Sequence, residues 1–452
     1  MPINSGPSHP RFRGIRRVNR ARTAFPIVLA LMAALVSPFL ATTSTATAAD
    51  KPKAIISLGD SFISGEAGRW AGNGNASTAG DVFGTDRAAY HCTSPDSCQH
   101  DPAIVYAFTA YNGCHRSDVA EIRGAEIDGV PLEGRLNIAC SGAITDNVVD
   151  EDFKGEQPQI TQLKQLATDN QITTVVLSIS GNDLKFNDII AACANAYFNA
   201  FASPCSKTQP DGLKKRLPDV KEKVIGAVNK IQSTMREAGY EQGTYRLILQ
   251  SYPTPIPHSG DYRRGESSDF PYGRYRLDGC PFLDVDTDWA NDSLIPSIDD
   301  MLRDAALTTG ASFLDLTDAF VGHELCNKQA GQATKDNNQD NPLPAERAEW
   351  VRWLPYVVKG DFPWEGQGDQ QEGIHPNAYG QVALSTCLTK MVAVSPGPGE
   401  ALRCTGEAGQ GPESVKVSRD STTETSESGG DTGTGESGGD TGTGQSGGVG
   451  PR

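Results

Sequence analysis

The residues best suited to chemistry lie in four short stretches that are far apart in the chain. They are Gly59-Asp60-Ser61, Cys140-Ser141-Gly142, Ser180-Gly181-Asn182-Asp183 and Glu372-Gly373-Ile374-His375-Pro376. A serine hydroxyl is a weak nucleophile until a base removes its proton, and histidine has a pKa suited to that task near neutrality. Attack on an ester produces an oxyanion, which needs fixed hydrogen-bond donors. These residue types therefore suit hydrolysis by an activated serine.

Each of these residues has a simpler explanation when it is taken alone. Ser61 and Asn182 are ordinary helix-capping types, Gly142 suits a turn, and His375 could be a surface histidine before a helix. The occurrence of all four together favours a functional site.

The surrounding elements predict how the four stretches are brought together. Runs rich in apolar residues predict strands at 54–58, 134–140, 173–179, 245–252 and 312–316. Apolar residues three and four apart predict helices at 102–112, 158–169, 186–202, 213–238, 292–306 and 377–392. Strands that alternate with helices predict an α/β protein, a three-layer α/β/α sandwich with a central, mostly parallel sheet. Ligands bind at the carboxyl ends of such strands, where Ser61 is expected.

Together the four stretches resemble those of the SGNH (GDSL) hydrolase family, and specifically its secreted actinobacterial lipase and esterase branch. The resemblance extends through GDSFISGE at 59–66 and covers 53–392 with large insertions. It implies the flavodoxin-like fold of that family, with Ser61 as nucleophile and His375 as base. It also implies an oxyanion hole made by the backbone N–H groups of Ser61 and Gly142 and the side-chain amide of Asn182, without a cofactor or a metal.

The third member of the catalytic triad departs from the family pattern. The family usually carries Asp three residues before the histidine, and this chain has Glu372 there. Glu372 is predicted to orient His375, with a backbone carbonyl as the alternative, as in some relatives of this branch.

The function that follows is a secreted serine ester hydrolase acting on lipid or simple carboxylic esters through an acyl-enzyme on Ser61. Lipase, phospholipase and esterase activities all fit. The alternatives are a carbohydrate or cell-envelope O-acetylesterase and, in another class, a non-catalytic envelope-binding protein. No G-x-S-x-G surrounds a candidate serine, which argues against an ordinary α/β-hydrolase elbow. Polar, aromatic loops at 65–100 and 327–370, with tryptophans 70, 350, 353 and 364, are candidates for an acyl channel or for sugar stacking.

The two ends of the chain are predicted to lie outside the hydrolase domain. Six arginines, an apolar run at 25–41 and a small-residue stretch ending at Ala49 predict a signal peptide over 1–49. The run is short and interrupted by Pro38, which argues against a membrane anchor. The domain is predicted over 50–404, followed by a disordered Gly/Ser/Thr/acidic tail over 405–452.

The charge of the chain limits its partners. The full sequence carries 40 basic and 56 acidic residues, and removal of 1–49 takes away six arginines and no acid, so 34 minus 56 gives −22. Nucleic acid and anionic lipid surfaces repel such a protein. We therefore expect a monomer in the medium, with an ester substrate, no nucleic-acid partner and no transmembrane anchor.

Ten cysteines in an exported chain predict disulfides. The simplest connectivity pairs neighbours: Cys92-Cys98, Cys114-Cys140, Cys193-Cys205, Cys280-Cys326 and Cys387-Cys404. The alternative is a metal site formed by His91, Cys92, Cys98 and His100, but its spacing is not that of a zinc finger. An acidic stretch at 284–288 fails as a calcium loop because tryptophan occupies the required glycine position.

Overall fold

The computed structural model describes residues 51–74, 84–92, 98–127, 129–267, 273–354 and 370–419. The predicted signal peptide and Trp364 lie outside the described residues, as does the chain beyond Arg419.

A seven-stranded sheet forms the centre of the domain. The strands of the described residues, including two outside this sheet, are β1 (Lys53–Gly59), β2 (Ala89–Cys92), β3 (Cys98–His100), β4 (Arg135–Asn137), β5 (Gln171–Ser178), β6 (Arg246–Gln250), β7 (Ser312–Asp315), β8 (Ala401–Thr405) and β9 (Lys416–Arg419). The order in the sheet is β4-β1-β5-β6-β7-β8-β9, while β2 and β3 form a separate pair. Every neighbouring pair in the sheet is parallel except β8 with β9.

Helices connect and flank the strands. They are α1 (Ser61–Ser64), α2 (Ala103–Tyr106), α3 (Thr109–Asn112), α4 (Glu121–Gly124), α5 (Thr145–Val149), α6 (Gln159–Asp169), α7 (Phe186–Phe198), α8 (Cys205–Thr208), α9 (Pro210–Glu237), α10 (Gly273–Asp278), α11 (Asp284–Trp289), α12 (Ile295–Thr309) and α13 (Ala378–Val394). A π-helical turn, Ala290–Leu294, joins α11 to α12. One group of contacting helices consists of α5, α6, α9 and α12, and α4 packs on α13. The predicted α/β/α class is confirmed.

The burial of the strands in the core explains why the sequence predicts them. Residues 54–59 of β1 are all buried, and β5 buries most of its length beside it. A parallel strand covered on both faces has no polar face to alternate with, so it appears as a continuous apolar run. Among the described residues, no helix combines the length and apolar character needed to cross a bilayer.

Four predictions about boundaries and loops are wrong. The expected helix at 102–112 is two short helices, because the chain turns at Ala107 with a φ of 48°. The many Pro, Gly, Tyr and Arg residues of 253–290 predict a long loop, but this range contains α10 and α11. The predicted surface loop at 65–100 starts in the interior, where Trp70 is buried. The domain does not end at Cys404, because β9 pairs with β8 and extends the fold to Arg419.

Disulfide bonds close four of the five predicted pairs: Cys114–Cys140, Cys193–Cys205, Cys280–Cys326 and Cys387–Cys404. The backbones of Cys92 and Cys98 lie opposite each other in the β2–β3 pair. Their side chains lie outside the described residues, so that pairing stays a prediction.

Candidate active site

Ser61 is the first residue of α1 and directly follows the sharp turn at the carboxyl end of β1. Asp60 caps the helix, since its side chain accepts a hydrogen bond from the Phe62 N–H at 3.2 Å. Gly59 has a φ of +135°, and a β-carbon there would come within 1.8 Å of the Ser178 carbonyl oxygen. Only glycine fits this turn, which therefore holds Ser61 in one position beside β5.

The Ser61 hydroxyl lies 2.6 Å from Nε2 of His375. On the other side of the ring, Nδ1 lies 3.0 Å from the backbone carbonyl oxygen of Gly373. A neutral imidazole has one N–H and one acceptor nitrogen. The carbonyl can only accept, so Nδ1 carries the proton and Nε2 is free to accept the serine proton.

A strained turn holds the histidine in place. Ile374 has a φ of +64°, which is a backbone outlier for a β-branched residue. Its N–H donates to the Arg352 carbonyl at 2.7 Å, and the Arg352 N–H donates to the His375 carbonyl at 2.8 Å. Strain of this kind persists only where the surroundings over-determine it, and it tends to occur at functional sites.

The predicted role of Glu372 as the partner of His375 is wrong, because other donors hold its carboxylate. One oxygen accepts from Trp70 Nε1 at 2.9 Å, and the other accepts from the Tyr106 hydroxyl at 3.0 Å. The guanidinium of Arg69 lies 3.6 Å away. The backbone-carbonyl alternative therefore describes the arrangement around the ring.

The electrostatics of the cleft favour a neutral histidine. Burial lowers the pKa of His375 below its usual value of 6.5, although the buried carboxylate of Glu66 and two backbone carbonyls oppose the shift. A hydrogen bond from His115, at 2.9 Å, holds the pKa of Glu66 below its usual range despite burial. His375 can accordingly accept a proton at neutral pH.

Two backbone N–H groups point to an oxyanion site. Within the described part of the chain, the N–H groups of Ser61 and Gly142 have no hydrogen-bond acceptor. Ser61 opens α1, where N–H groups are left without intrahelical partners. Gly142 has a φ of +87°, and the Cys140 N–H two residues earlier donates to the Gly59 carbonyl at 3.1 Å. The Gly142 turn and the Ser61 turn are therefore neighbours.

Asn182 follows the carboxyl end of β5 and contacts the Gly142 turn. Its amide nitrogen donates to the Ala143 carbonyl at 2.9 Å, and this leaves the second amide hydrogen for another acceptor. Ser61, Asn182 and His375 line one cleft of about 310 Å³, part of it open to solvent.

The two aspartates beside the motifs, Asp60 and Asp183, accept hydrogen bonds from neighbouring segments of the chain. Asp60 accepts from the Tyr252 hydroxyl at 2.6 Å, and this hydroxyl in turn accepts from the Gly181 N–H at 3.0 Å. Burial raises the pKa of Asp60 to about 7, against these hydrogen bonds. Asp183 accepts from the Thr145 hydroxyl at 2.7 Å.

Sequence reasoning missed the role of Tyr252 and of the apolar residues around the cleft. Tyr252 follows β6 at its carboxyl end, and this position is the signal that could have found it. It lines the cleft with Phe62 and Phe186, and Ile190 and Ile374 complete the apolar side. Two further apolar cavities share Phe186 with the cleft, with volumes of about 410 and 460 Å³ that include space open to solvent.

One cluster among the described residues has metal-ligand character, formed by Cys193, Cys205 and Asp286. The two sulfurs form a disulfide and therefore offer no thiolate. Asp286 instead accepts from the Ser206 N–H at 2.9 Å.

No protein-family model and no curated protein matches this sequence. Solved structures with a similar chain course include an extracellular lipase from Streptomyces rimosus, with 17% identity over 76% of this chain and 100% of that one (TM-score 0.40). A phospholipase A1 from Streptomyces albidoflavus covers the same shares at 17% identity (TM-score 0.36). A carbohydrate acetylesterase from Sinorhizobium meliloti is 11% identical over 76% of this chain and 99% of that one (TM-score 0.31). These scores decide neither the reaction nor the substrate of this chain.

Proposed function

We propose that the protein is an exported serine ester hydrolase of the SGNH type that forms an acyl-enzyme on Ser61. The contact between the Ser61 hydroxyl and His375 Nε2, with Nδ1 held by the Gly373 carbonyl, carries the proposal. A serine, a base and a group that orients the base are the minimum for nucleophilic acyl transfer. The four disulfides support export.

The reaction proceeds in two steps. His375 takes the hydroxyl proton as Ser61 attacks the ester carbonyl, and the developing oxyanion binds the N–H groups of Ser61 and Gly142 and the amide of Asn182. The alcohol leaves with the proton from His375. A water molecule, deprotonated by His375, then hydrolyses the acyl-enzyme and restores Ser61.

The apolar cavities beside the cleft support an acyl substrate longer than acetyl. One is lined mainly by apolar residues, including Phe62, Tyr252, Pro255, Ile295 and Ile298, and its polar lining residues are Ser251 and Asp299. The space between these side chains is about 410 Å³, part of it open to solvent. An alkyl chain buried there would gain about 0.8 kcal/mol per CH₂. We therefore propose medium or long acyl esters as substrates, in preference to acetyl esters of carbohydrates.

The test is hydrolysis of p-nitrophenyl esters from acetate to palmitate by the parent and by Ser61→Ala. We expect the parent to prefer longer esters and Ser61→Ala to lose the activity. Ile298→Trp, which fills the cavity, should lower activity on long esters more than on acetate. Leu307→Trp, on the exposed side of the same helix, is the matched control. Activity confined to acetate would favour a deacetylase, and no activity in the parent would revive the binding-protein hypothesis.

A further inference from the structure

A tight turn at Phe153–Glu156 carries an unusual lysine. The N–H of Phe153 donates to the Glu156 carbonyl, and the Glu156 N–H donates to the Phe153 carbonyl, both at 2.9 Å. Between them Lys154 and Gly155 have φ values of 49° and 79°. This conformation favours Asn, Asp or Gly, so a lysine at its first position points to a role for the side chain.

The side chain of Lys154 ends between two backbone carbonyls. Nζ donates to the Gly113 oxygen at 2.6 Å and to the Ser141 oxygen at 2.7 Å. It also lies 5.4 Å from the centre of the Phe153 ring, within cation–π range. The ammonium is therefore fixed on three sides.

Covalent and ionic links make this arrangement rigid. The Cys114–Cys140 disulfide joins the residues next to Gly113 and Ser141, and the Ser141 N–H donates to the Cys114 carbonyl at 3.1 Å. At the other end of the turn, Glu156 accepts from Asn112 at 2.8 Å and from Arg116 at 3.0 Å. The turn and the two carbonyls are thus held as one unit.

The position of Lys154 matters because of what the Ser141 carbonyl is bonded to. The Ser141 C=O and the Gly142 N–H belong to the same amide group. A cation on the oxygen draws electron density from the nitrogen, so the N–H becomes a stronger donor, as in any polarised hydrogen-bond chain. Among the described residues, that N–H has no hydrogen-bond acceptor.

We propose that Lys154 is a positioning residue of the oxyanion site, which orients the Ser141–Gly142 amide and strengthens its N–H as a donor to the oxyanion. This inference rests on the proposed function and adds to it a residue that touches no substrate. A β-carbon at Gly142 would come 3.9 Å from Nζ, so the ammonium also contributes its own field at short range. The charged groups that face it are the carboxylate of Glu66, which attracts it, and His115, which opposes it.

The experiment compares kcat and KM for p-nitrophenyl butyrate in the parent, Lys154→Met, Lys154→Gln and Lys154→Arg. Lys154→Met should lower kcat about tenfold with little change in KM, less than the roughly 10²–10³ lost when an oxyanion donor is removed outright. Lys154→Gln can still donate to both carbonyls but is neutral, so we expect a similar loss. Lys154→Arg should keep most of the parental kcat. Lys164→Met, which removes a surface lysine paired with Glu237, is the matched control and should match the parent.

Three results would overturn the proposal. A kcat within about twofold of the parent in Lys154→Met would remove Lys154 from the oxyanion site. Parental turnover in Lys154→Gln would mean that Lys154 acts only through its hydrogen bonds and not through its charge. Lys154→Gln also tests the proposal if Lys154→Met does not fold. A loss in Lys154→Arg as large as in Lys154→Met would mean that shape matters and charge does not. The parent's activity and its loss in Ser61→Ala decide the proposed function separately.

Discussion

Replacement of Glu372 by glutamine separates the stability of the site from its chemistry. The carboxylate accepts hydrogen bonds from Trp70 and Tyr106 and lies 3.6 Å from the Arg69 guanidinium, all in the interior. An amide can replace only one of the two acceptor oxygens. A hydrogen bond to a charged group contributes about 1.5–3 kcal/mol, so Glu372→Gln should lower the free energy of unfolding by that amount. Burial raises the pKa of Glu372, which weakens its attraction to Arg69. The loss of stability in Glu372→Gln should therefore not exceed the about 3–5 kcal/mol that breaking a full buried ion pair costs.

Turnover should respond much less than stability. Since the Gly373 carbonyl holds His375 Nδ1, the variant keeps its base in place and kcat should fall by less than about tenfold. Loss of the orienting acid in a Ser-His-Asp triad instead costs about 10⁴ in kcat. The assay pairs urea unfolding with kcat on p-nitrophenyl butyrate, measured well below the melting temperature.

Glu324→Gln is the matched control, since Glu324 is a buried glutamate that accepts from Gly322 and Asn327 and does not line the cleft. It should leave kcat at the parental value. The reasoning is refuted if Glu372→Gln loses about 10⁴ in kcat while its free energy of unfolding equals that of the parent.

Three further predictions concern the oxyanion site, the base and the core. Asn182→Ala should lower kcat by roughly 10²–10³, and an unchanged kcat would exclude its amide from the oxyanion site. Because burial lowers the pKa of His375, kcat/KM should rise with pH through a single step below pH 6.5 and stay level above it; a step well above that value would contradict a neutral buried base. Burial raises the pKa of Glu121 from 4.5 to about 8, against one hydrogen bond from Gln250, so the folded state keeps a proton that the unfolded state loses. Stability should therefore fall as the pH rises from about 4.5 to 8, and Glu121→Gln should be more stable than the parent at pH 9, by up to about 5 kcal/mol, and closer to it at pH 5. Equal differences at both pH values would show that Glu121 does not titrate in this range.

The sheet and the position of Ser61 were predictable because their physical causes are local. Buried parallel strands require continuous apolar runs, which is why β1 and β5 stand out in the sequence. The turn after β1 requires a glycine at position 59, and this places Ser61 at a strand end.

The partner of His375 was not predictable, because a backbone carbonyl leaves no trace in residue types. Glu372 has the expected spacing, but Trp70 and Tyr106 come from a distant part of the chain and occupy its oxygens. No sequence pattern near His375 indicates those contacts.

The stretch after Ser61 was misjudged for a related reason. It is polar, which usually marks a surface loop, but its charges satisfy one another in the interior. Arg69 donates to Asp86 through Nε at 3.0 Å, and both side chains are almost fully buried. Buried charges are found where they are paired, and pairing depends on tertiary structure. The contacts of Lys154 also depend on tertiary structure, because its acceptors are backbone carbonyls of distant residues.

The most direct test of the central claim is covalent labelling of the full chain with a fluorophosphonate, followed by mass analysis of the digested protein. Such a reagent traps an activated serine as a stable adduct that mimics the tetrahedral intermediate. We predict one adduct per chain, on the peptide containing Ser61, and no adduct in Ser61→Ala or with the base removed in His375→Ala. An unlabelled parent, or a label on another residue that persists in Ser61→Ala, would contradict an acyl-enzyme on Ser61.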